Sequence, residues 1–240
     1  MKIGILGTRG IPNHYGGFEQ FAEFFATFAA GRGHEVYVYN SHNHPYQEKV
    51  FNNVHIVHCY DPEHKIGTVG QFIYDLNCII DARKRDFDIL LQLGYTSSSI
   101  WFSLHPKKAI VITNMDGLEW KRTKYSKKVQ KALHIAEKLA VKKSDYLIAD
   151  SLGIQEYIQE KYQKESTYIA YGAHNFKTPN PEILKEYQVE KEQFNMIMAR
   201  FEPENNLDMV LEGVSLSNNN TPILVIGNHN TKYGTFLKNK

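Results

Sequence analysis

The chain has 240 residues, 42% of them hydrophobic, and a formal net charge of +2 at pH 7. Such a length suits one large α/β domain, or one domain with part of another, and charge this close to balance does not by itself point to nucleic acid. Two cysteines, Cys59 and Cys78, in neither CxxC nor zinc spacing fit reduced thiols; with no signal peptide and no apolar run of roughly 18 residues, the expectation is a cytoplasmic protein without a membrane span.

In chain order, a strand is predicted over 2–7 and a helix over 17–32, joined by a loop carrying Gly7, Gly10, Gly16 and Gly17. Phe18, Phe21, Phe25 and Phe28 recur at helical spacing, so they are expected to share one face packed on a sheet. Strands over 34–39 and 54–59, a helix over 69–84 and a strand over 88–93 follow. A short helix over 98–104, capped by Ser98, leads to a strand over 109–114. A long helix over 126–143, a strand over 145–150, a helix capped by Ser151 and ending at Tyr162, and a strand over 167–170 complete the run. Strand and helix alternate, and the strands are apolar on both faces. This predicts a mostly parallel, doubly wound, Rossmann-like α/β sheet over 1–173.

Residues 174–194 are polar, carry Pro179 and Pro181, and read as a linker with one short helix. The pattern then restarts, with a strand over 195–201, a helix over 206–216 and a strand over 222–227. The segment 195–240 is therefore expected to begin a second Rossmann-like domain, too short to bury a core of its own.

The opening loop is suited to an anionic ligand, because it feeds a helix N-terminus. Its Gly4-x-x-Gly7-x-x-Gly10 spacing and the Asn40 that ends the second strand depart from the dinucleotide fingerprint, and no P-loop occurs. Gly16 and Gly17, directly before the helix, remain as the ligand-side pair, against the alternative that they only turn the chain.

Asp116-Gly117 falls just past the carboxyl end of a buried strand, where ligands of open α/β sheets bind. Asp116 is a candidate for orienting or deprotonating a hydroxyl and Trp120 for stacking on a sugar ring; the alternative is a tight Asp-Gly turn. A basic stretch follows, comprising Lys121, Arg122, Lys124, Lys127, Lys128 and Lys131, then Lys138, Lys142 and Lys143 along the helix. It is either a solvated face or a surface for anionic lipid head groups or a pyrophosphate-bearing acceptor. Asp86-Phe87-Asp88 imitates a metal-binding motif but precedes its strand, at the wrong edge. His42, His44, His55, His58 and His64 lack a completing carboxylate or thiolate, so no metal is expected. Tyr157 and Lys161 match a Tyr-x-x-x-Lys oxidoreductase pair in spacing, but follow the sixth strand with no dinucleotide loop.

The ordered set Gly16-Gly17-Phe18-Glu19, Gly33-His34-Glu35-Val36, Ala149-Asp150-Ser151, Tyr171-Gly172-Ala173 and Ala199-Arg200-Phe201 resembles the GT-B retaining glycosyltransferases of family 4. Gly7-Thr8-Arg9-Gly10-Ile11-Pro12, Asp116-Gly117-Leu118-Glu119-Trp120-Lys121-Arg122 and Arg200-Phe201-Glu202-Pro203-Glu204-Asn205-Asn206 are similar to the narrower bacterial polysaccharide β-1,4-rhamnosyltransferases. The resemblance runs in order along essentially the whole chain. It implies an N-terminal acceptor domain, a C-terminal nucleotide-sugar domain, and metal-independent sugar transfer with retention.

Carried residue by residue, the resemblance makes Asp116 and Arg200 catalytic. It places Gly16, Gly17, Arg200 and Asn205 at the donor and Glu119, Trp120, Lys121 and Arg122 at the acceptor. The implied donor is a nucleotide-sugar, with dTDP-rhamnose first and a UDP-sugar next. The implied acceptor is a lipid-linked glycan, reached in the cytoplasm or peripherally at the inner face of the membrane, with no further cofactor. Two departures stand out. Asn205-Asn206 replace the family's second basic residue, and the chain stops at Lys240 before the family's Glu-x7-Glu region. The alternative reading is therefore a truncated, inactive homologue that retains only acceptor or membrane binding.

Overall fold

The structure is a computed structural model that describes residues 1–122, 125–173, 175–217 and 220–240. The chain forms two compact units: Met1–Lys121 with Lys127–Gly172, and Arg122–Ser126 with Ala173–Lys240.

The first unit contains β1 (Lys2–Leu6), α1 (Gly17–Gly31), β2 (Glu35–Ser41), β3 (Val50–Phe51), β4 (Val54–Cys59), α2 (Glu63–Ile66) and α3 (Val69–Ala82). It continues through β5 (Ile89–Leu93), a 3-10 helix at Ser99–Leu104, β6 (Ile110–Asn114), a 3-10 turn at Glu119–Lys121, α4 (Lys127–Lys143), β7 (Tyr146–Ala149), α5 (Leu152–Tyr162) and β8 (Thr167–Tyr168). The strands form one eight-stranded sheet in the order β3-β4-β2-β1-β5-β6-β7-β8. Every pairing is parallel except β3 with β4. This is the expected doubly wound α/β sheet, with a two-residue antiparallel edge added.

Helices cover both faces, and the central strands β1, β2 and β5 are buried along most of their length. Ile3, Ile5, Val36, Val38, Leu91 and Leu93 pack under α1 on one side, while Leu6, Tyr39, Leu90 and Val111 meet Tyr74, Cys78, Ile79 and Ala82 of α3 on the other. Both cysteines are free and buried. The face of α1 that sits deepest is lined by Ala22, Ala26 and Ala29, not by the phenylalanines. Small side chains let the helix approach the sheet closely; Phe18, Phe21 and Phe25 fill the flanks, half-buried. Phe28 departs from the expected stripe: it is 60% exposed, and the Arg32 guanidinium lies 4.6 Å from its ring centre.

Cap chemistry also separates expectation from structure. The Ser151 hydroxyl accepts the Ile154 amide at 3.3 Å, capping α5 as its sequence suggests. Ser98 makes no such bond, and the segment after it winds as a 3-10 helix. At the opposite edge of the sheet, Asp88 accepts the Lys2 amide at 2.7 Å, which gives that carboxylate a structural task away from the carboxyl edge.

The second unit contains α6 (Ile183–Glu186), β9 (Asn195–Met198), a 3-10 turn at Pro203–Asn205, α7 (Leu207–Leu216), β10 (Ile223–Ile226) and α8 (Lys232–Asn239). β9 and β10 pair in parallel, with α7 as the crossover between them. The Thr231 hydroxyl caps α8, accepting the Gly234 amide at 2.9 Å. Tyr233 of that helix donates to Asp208 at 2.7 Å. The polar sequence 228–240 gave no sign of this helix in advance.

Asp75 of α3 is 6% exposed and accepts the Ser97 hydroxyl at 2.6 Å. Burial pushes its carboxyl up to about 7 from 3.8, with neighbouring Asp61 pushing the same way and the Ser97 hydrogen bond opposing. A carboxyl whose pKa is raised on folding holds its proton longer in the native state. Stability should therefore fall as pH rises from about 4 to about 7, by an amount on the order of 4 kcal/mol, and level off above. Urea denaturation across that range should show Asp75→Asn flattening this slope; an unchanged slope would remove Asp75 as its source.

Candidate functional site

In an open α/β sheet the crevice forms where chain order reverses, outside the carboxyl ends of the strands. Here β1 lies between β2 and β5, so the reversal falls at β1 and β5. The chain leaves β1 through Gly7, at φ 82°, where an added Cβ would sit 2.1 Å from the Leu93 carbonyl oxygen. It then passes Gly10, whose Cβ position falls 2.4 Å from the Asn40 side chain. Asn40, fully buried at the end of β2, accepts the Ile11 amide at 3.1 Å and donates back to the Ile11 carbonyl at 2.8 Å. The Tyr74 hydroxyl adds a bond to the Thr8 carbonyl at 3.0 Å. The asparagine that argued against a dinucleotide is thus the bracket that shapes the loop.

This bracket delivers the chain to α1 through Gly16, which is extended and supplies no side-chain cap. The first-turn amides are left without the side-chain acceptor that most helices provide. A methyl on Gly17 would meet nothing within 4 Å, so there is open space at the helix start. Glu19, in the first turn and 3% exposed, accepts the Arg9 amide at 2.7 Å. Its carboxylate fastens the loop to the helix and partly balances the helix dipole.

At the end of β6, Asn114 donates to the Tyr171 hydroxyl at 3.2 Å and accepts the Asp116 amide at 3.2 Å. Asp116 takes a left-handed backbone, φ 39°. The ring of Tyr171 meets Phe21 of α1 edge to face at 6.1 Å. Burial pushes the Tyr171 hydroxyl well above the ordinary tyrosine range, and the Asp116, Asp150 and Glu19 carboxylates add to that, while the Asn114 bond opposes it. Tyr171 therefore connects α1, through Phe21, with the end of β6, through Asn114. Sequence reading cited Tyr171 only as part of a motif; the sheet order is what makes it central.

The segment after Asp116 is fixed by a second buried carboxylate, which stands among the lysines of α4. Glu137 of α4 is 1% exposed. Its Oε2 accepts the Trp120 indole N–H at 2.8 Å. Its Oε1 accepts Tyr157 at 2.7 Å, Tyr162 at 2.5 Å and the Lys161 ammonium at 3.1 Å. The Lys161 ammonium lies 4.7–5.0 Å from the ring centres of Trp120, Tyr157 and Tyr162. Tyr157 and Lys161 are thus committed to Glu137, and burial with that carboxylate pushes the Tyr157 hydroxyl up, away from any role as a proton donor near neutral pH. Trp120 has its N–H engaged, Glu119 begins the 3-10 turn, and Lys121 is exposed at its end.

Lys127, Lys128, Lys131, Lys138, Lys142 and Lys143 of α4 are all exposed, with Ile135 at 52% among them. Lys124 lies outside the described residues, as does His174, the first residue assigned to the linker. The histidines serve as loop brackets: His42 accepts the Asp61 amide at 2.9 Å, and His44 accepts the Tyr46 amide at 3.1 Å. Among the described residues no three His, Cys, Asp or Glu side chains come together as a metal site.

In the second unit, the Arg200 carbonyl just past β9 accepts the Glu202 amide at 2.8 Å and the Asn205 side-chain amide at 2.6 Å. Asn205 thereby closes the turn that carries Arg200, whose side chain is exposed. Arg122 is grouped with this unit and its Nε donates to Glu204 at 2.8 Å.

A family model described as "Domain of unknown function (DUF1972)" matches residues 1–174. No curated protein matches the sequence. Among solved structures, sucrose-phosphate synthase from Thermosynechococcus elongatus aligns with TM-score 0.73 and 13% identity over 99% of this chain and 65% of its own. UDP-N-acetylglucosamine 2-epimerase from Rickettsia bellii aligns with TM-score 0.54 and 12% identity, covering 98% of this chain and 66% of its own. A glycosyltransferase from Rickettsia africae ESF-5 gives 0.53 and 13%, with coverages of 98% and 70%. The chain thus spans about two thirds of the length of these neighbours. The fold is the Rossmann-like GT-B fold that these proteins share.

Two substitutions test the geometry of the edge. Asn40→Ala strands the Ile11 amide and carbonyl and should cost about 2–4 kcal/mol. Glu137→Ala leaves Lys161 facing three rings without its carboxylate and should cost about 3–5 kcal/mol, with Glu137→Gln milder. Guanidinium denaturation measures both, and losses below about 1 kcal/mol would contradict these roles.

Proposed function

The chain belongs to the family described as a domain of unknown function, DUF1972, and from its fold and its carboxyl edge we propose that it is a glycosyltransferase. The observation that carries this reading is the uncapped start of α1 at Gly16 and Gly17, with open space beside Gly17, at the reversal point of the sheet. A helix start of this kind favours a phosphate-bearing ligand, and the fold neighbours include a sucrose-phosphate synthase and a glycosyltransferase. In this reading Gly16 and Gly17 meet the diphosphate of a nucleotide-sugar. Asp116 orients the acceptor hydroxyl, and Glu119, Trp120, Lys121 and Arg122 form the acceptor-side segment. Glu137 holds Trp120 in place from behind.

Arg200, on the turn that Asn205 closes, neutralises the diphosphate as the glycosidic bond breaks. That is where negative charge develops, so a cation there acts mainly on the transition state. Transfer proceeds with retention and without a metal. The donor is dTDP-rhamnose, with a UDP-sugar second, and the acceptor is a lipid-linked glycan. The exposed lysines of α4 draw the protein to the anionic membrane surface where such an acceptor resides. Among the described residues no helix is long and apolar enough to cross a membrane. The rival reading, a nucleotide-sugar epimerase, rests on the 2-epimerase neighbour of the same fold.

Incubating the protein with dTDP-rhamnose or UDP-sugars and a lipid-linked glycan, and resolving products by NMR, separates the two. A new glycosidic linkage of retained configuration is expected; an epimerised donor would overturn the proposal. Arg200→Ala should lower kcat by 100-fold or more with the melting temperature unchanged, because its side chain is exposed. Unchanged turnover would remove Arg200 from the mechanism. Neutralising Lys127, Lys128 and Lys131 should weaken sedimentation with anionic vesicles at low salt, and the difference should vanish at high salt.

A further inference from the structure

The amino edge of the same sheet carries polar groups that none of the roles above uses. Arg83 follows α3, Asp86 and Phe87 lead into β5, and His105, Lys107 and Lys108 lead into β6. These residues line a cavity of about 220 Å3 at the amino ends of β5 and β6, at the opposite edge of the sheet from Gly16 and Asp116. That volume lies below the range of drug-sized sites and suits a small ligand.

The wall of the cavity holds an unsatisfied imidazole. His105 is 7% exposed, and neither of its ring nitrogens takes or gives a hydrogen bond among the described residues. Its ring meets Phe102 edge to face at 4.7 Å. Burial alone pushes the imidazole down to about 4, so the ring is neutral near pH 7. A neutral imidazole offers one donor and one acceptor, and a folded interior rarely leaves both idle without a reason.

The cations beside it are uncommitted as well. Cations near a helix end often answer its carbonyls, and Arg83 does so with one nitrogen, donating from Nη1 to the Leu104 carbonyl at 3.3 Å. The edge formed by its Nε and Nη2 is the fork that fits a carboxylate or phosphate, and among the described residues that edge has no partner. By contrast, Arg85 gives the same edge to Asp81, and Arg122 gives it to Glu204. Lys107 and Lys108 are exposed and form no ion pair among the described residues, and neither does Asp86. Three cations therefore face one carboxylate around the cavity.

We propose that this cavity binds a small dianion of the phosphate type, free in solution or as a soluble monoester. The Arg83 fork, Lys107 and Lys108 hold it, and the His105 ring turns toward it as a further donor. An anion at that place favours the charged imidazole, so binding takes up a proton at His105. The charged groups around the ring are Arg83 and Asp86 from the α3–β5 connection, and Lys107 and Lys108 from its own turn. The site does not depend on the transfer reading.

Sulfate stays a dianion across about pH 5 to 8, the range in which histidine changes charge, so it isolates the proton taken up by the protein. Calorimetry on the full chain should show sulfate binding roughly fivefold or more tighter at the acid end of that range than at the basic end. Long-range 1H–15N spectra should show the His105 ring moving toward the imidazolium pattern as sulfate or inorganic phosphate is added. Arg83→Gln, at an exposed position, should weaken binding about tenfold and abolish that shift, and the paired Lys107→Gln and Lys108→Gln should act in the same direction. The readout is the native ring, so no His105 variant has to fold. A His105 ring that does not respond, or an affinity unchanged by Arg83→Gln, would overturn the proposal. So would Arg83-dependent binding to phosphatidic acid vesicles with no binding of inorganic phosphate or phenyl phosphate, which would assign the fork to a lipid head group.

Discussion

The carboxyl edge depends on one buried amide. Asn40 grips both polar groups of Ile11, and without that grip the loop after β1 has no reason to turn where it does. The loop is otherwise rich in glycine and would pay heavily in conformational entropy to hold a single path. The Asn40 bonds, the Tyr74 bond to Thr8 and the Glu19 bond to Arg9 each come from a different element. Together they set the point at which α1 begins. An uncapped helix start is useful only if it is held still, and these three anchors hold it.

A second buried group does for the Asp116–Lys121 segment what Asn40 does for the first loop. Glu137 binds the indole of Trp120 on one oxygen and three donors of α5 on the other. Removing such a carboxylate leaves four donors without their shared buried acceptor, which is why an acid can be the most constrained residue on a helix full of lysines. The same helix faces solvent with its cations and the protein interior with its one buried anion. This arrangement separates charge across the width of α4.

Much of this was legible in the order of residues. Apolar runs broken by glycine, and helices of the right period, gave a parallel sheet and its central strands to within a residue or two, because those strands are buried along most of their length. The positions of Gly16 and Gly17 at the start of α1, and of Asp116 just past β6, were legible too, since each lies at the boundary of a periodic element. What stayed hidden depends on partners far along the chain. Asn40 and Ile11 are 29 positions apart, and Trp120 and Glu137 are 17 apart. No local pattern marks a polar residue as a bracket until the topology brings its partner to it. The two-residue β3 and the four-residue α2 are too short to carry a period, and the alanine face of α1 was masked by larger neighbours that looked more core-like.

The glycines of the first loop differ in what lies beside them, and that difference governs how the loop tolerates change. Gly7 and Gly10 have no volume to spare, because a single methyl would overlap backbone or the Asn40 side chain. Gly17 has open volume beside it. A saturation scan of this loop would thus mix two kinds of damage under one phenotype. Losses at Gly7 and Gly10 would record protein that never matured, whereas a side chain at Gly17 would leave the packing of the loop intact. Soluble yield, measured alongside function, would sort one from the other.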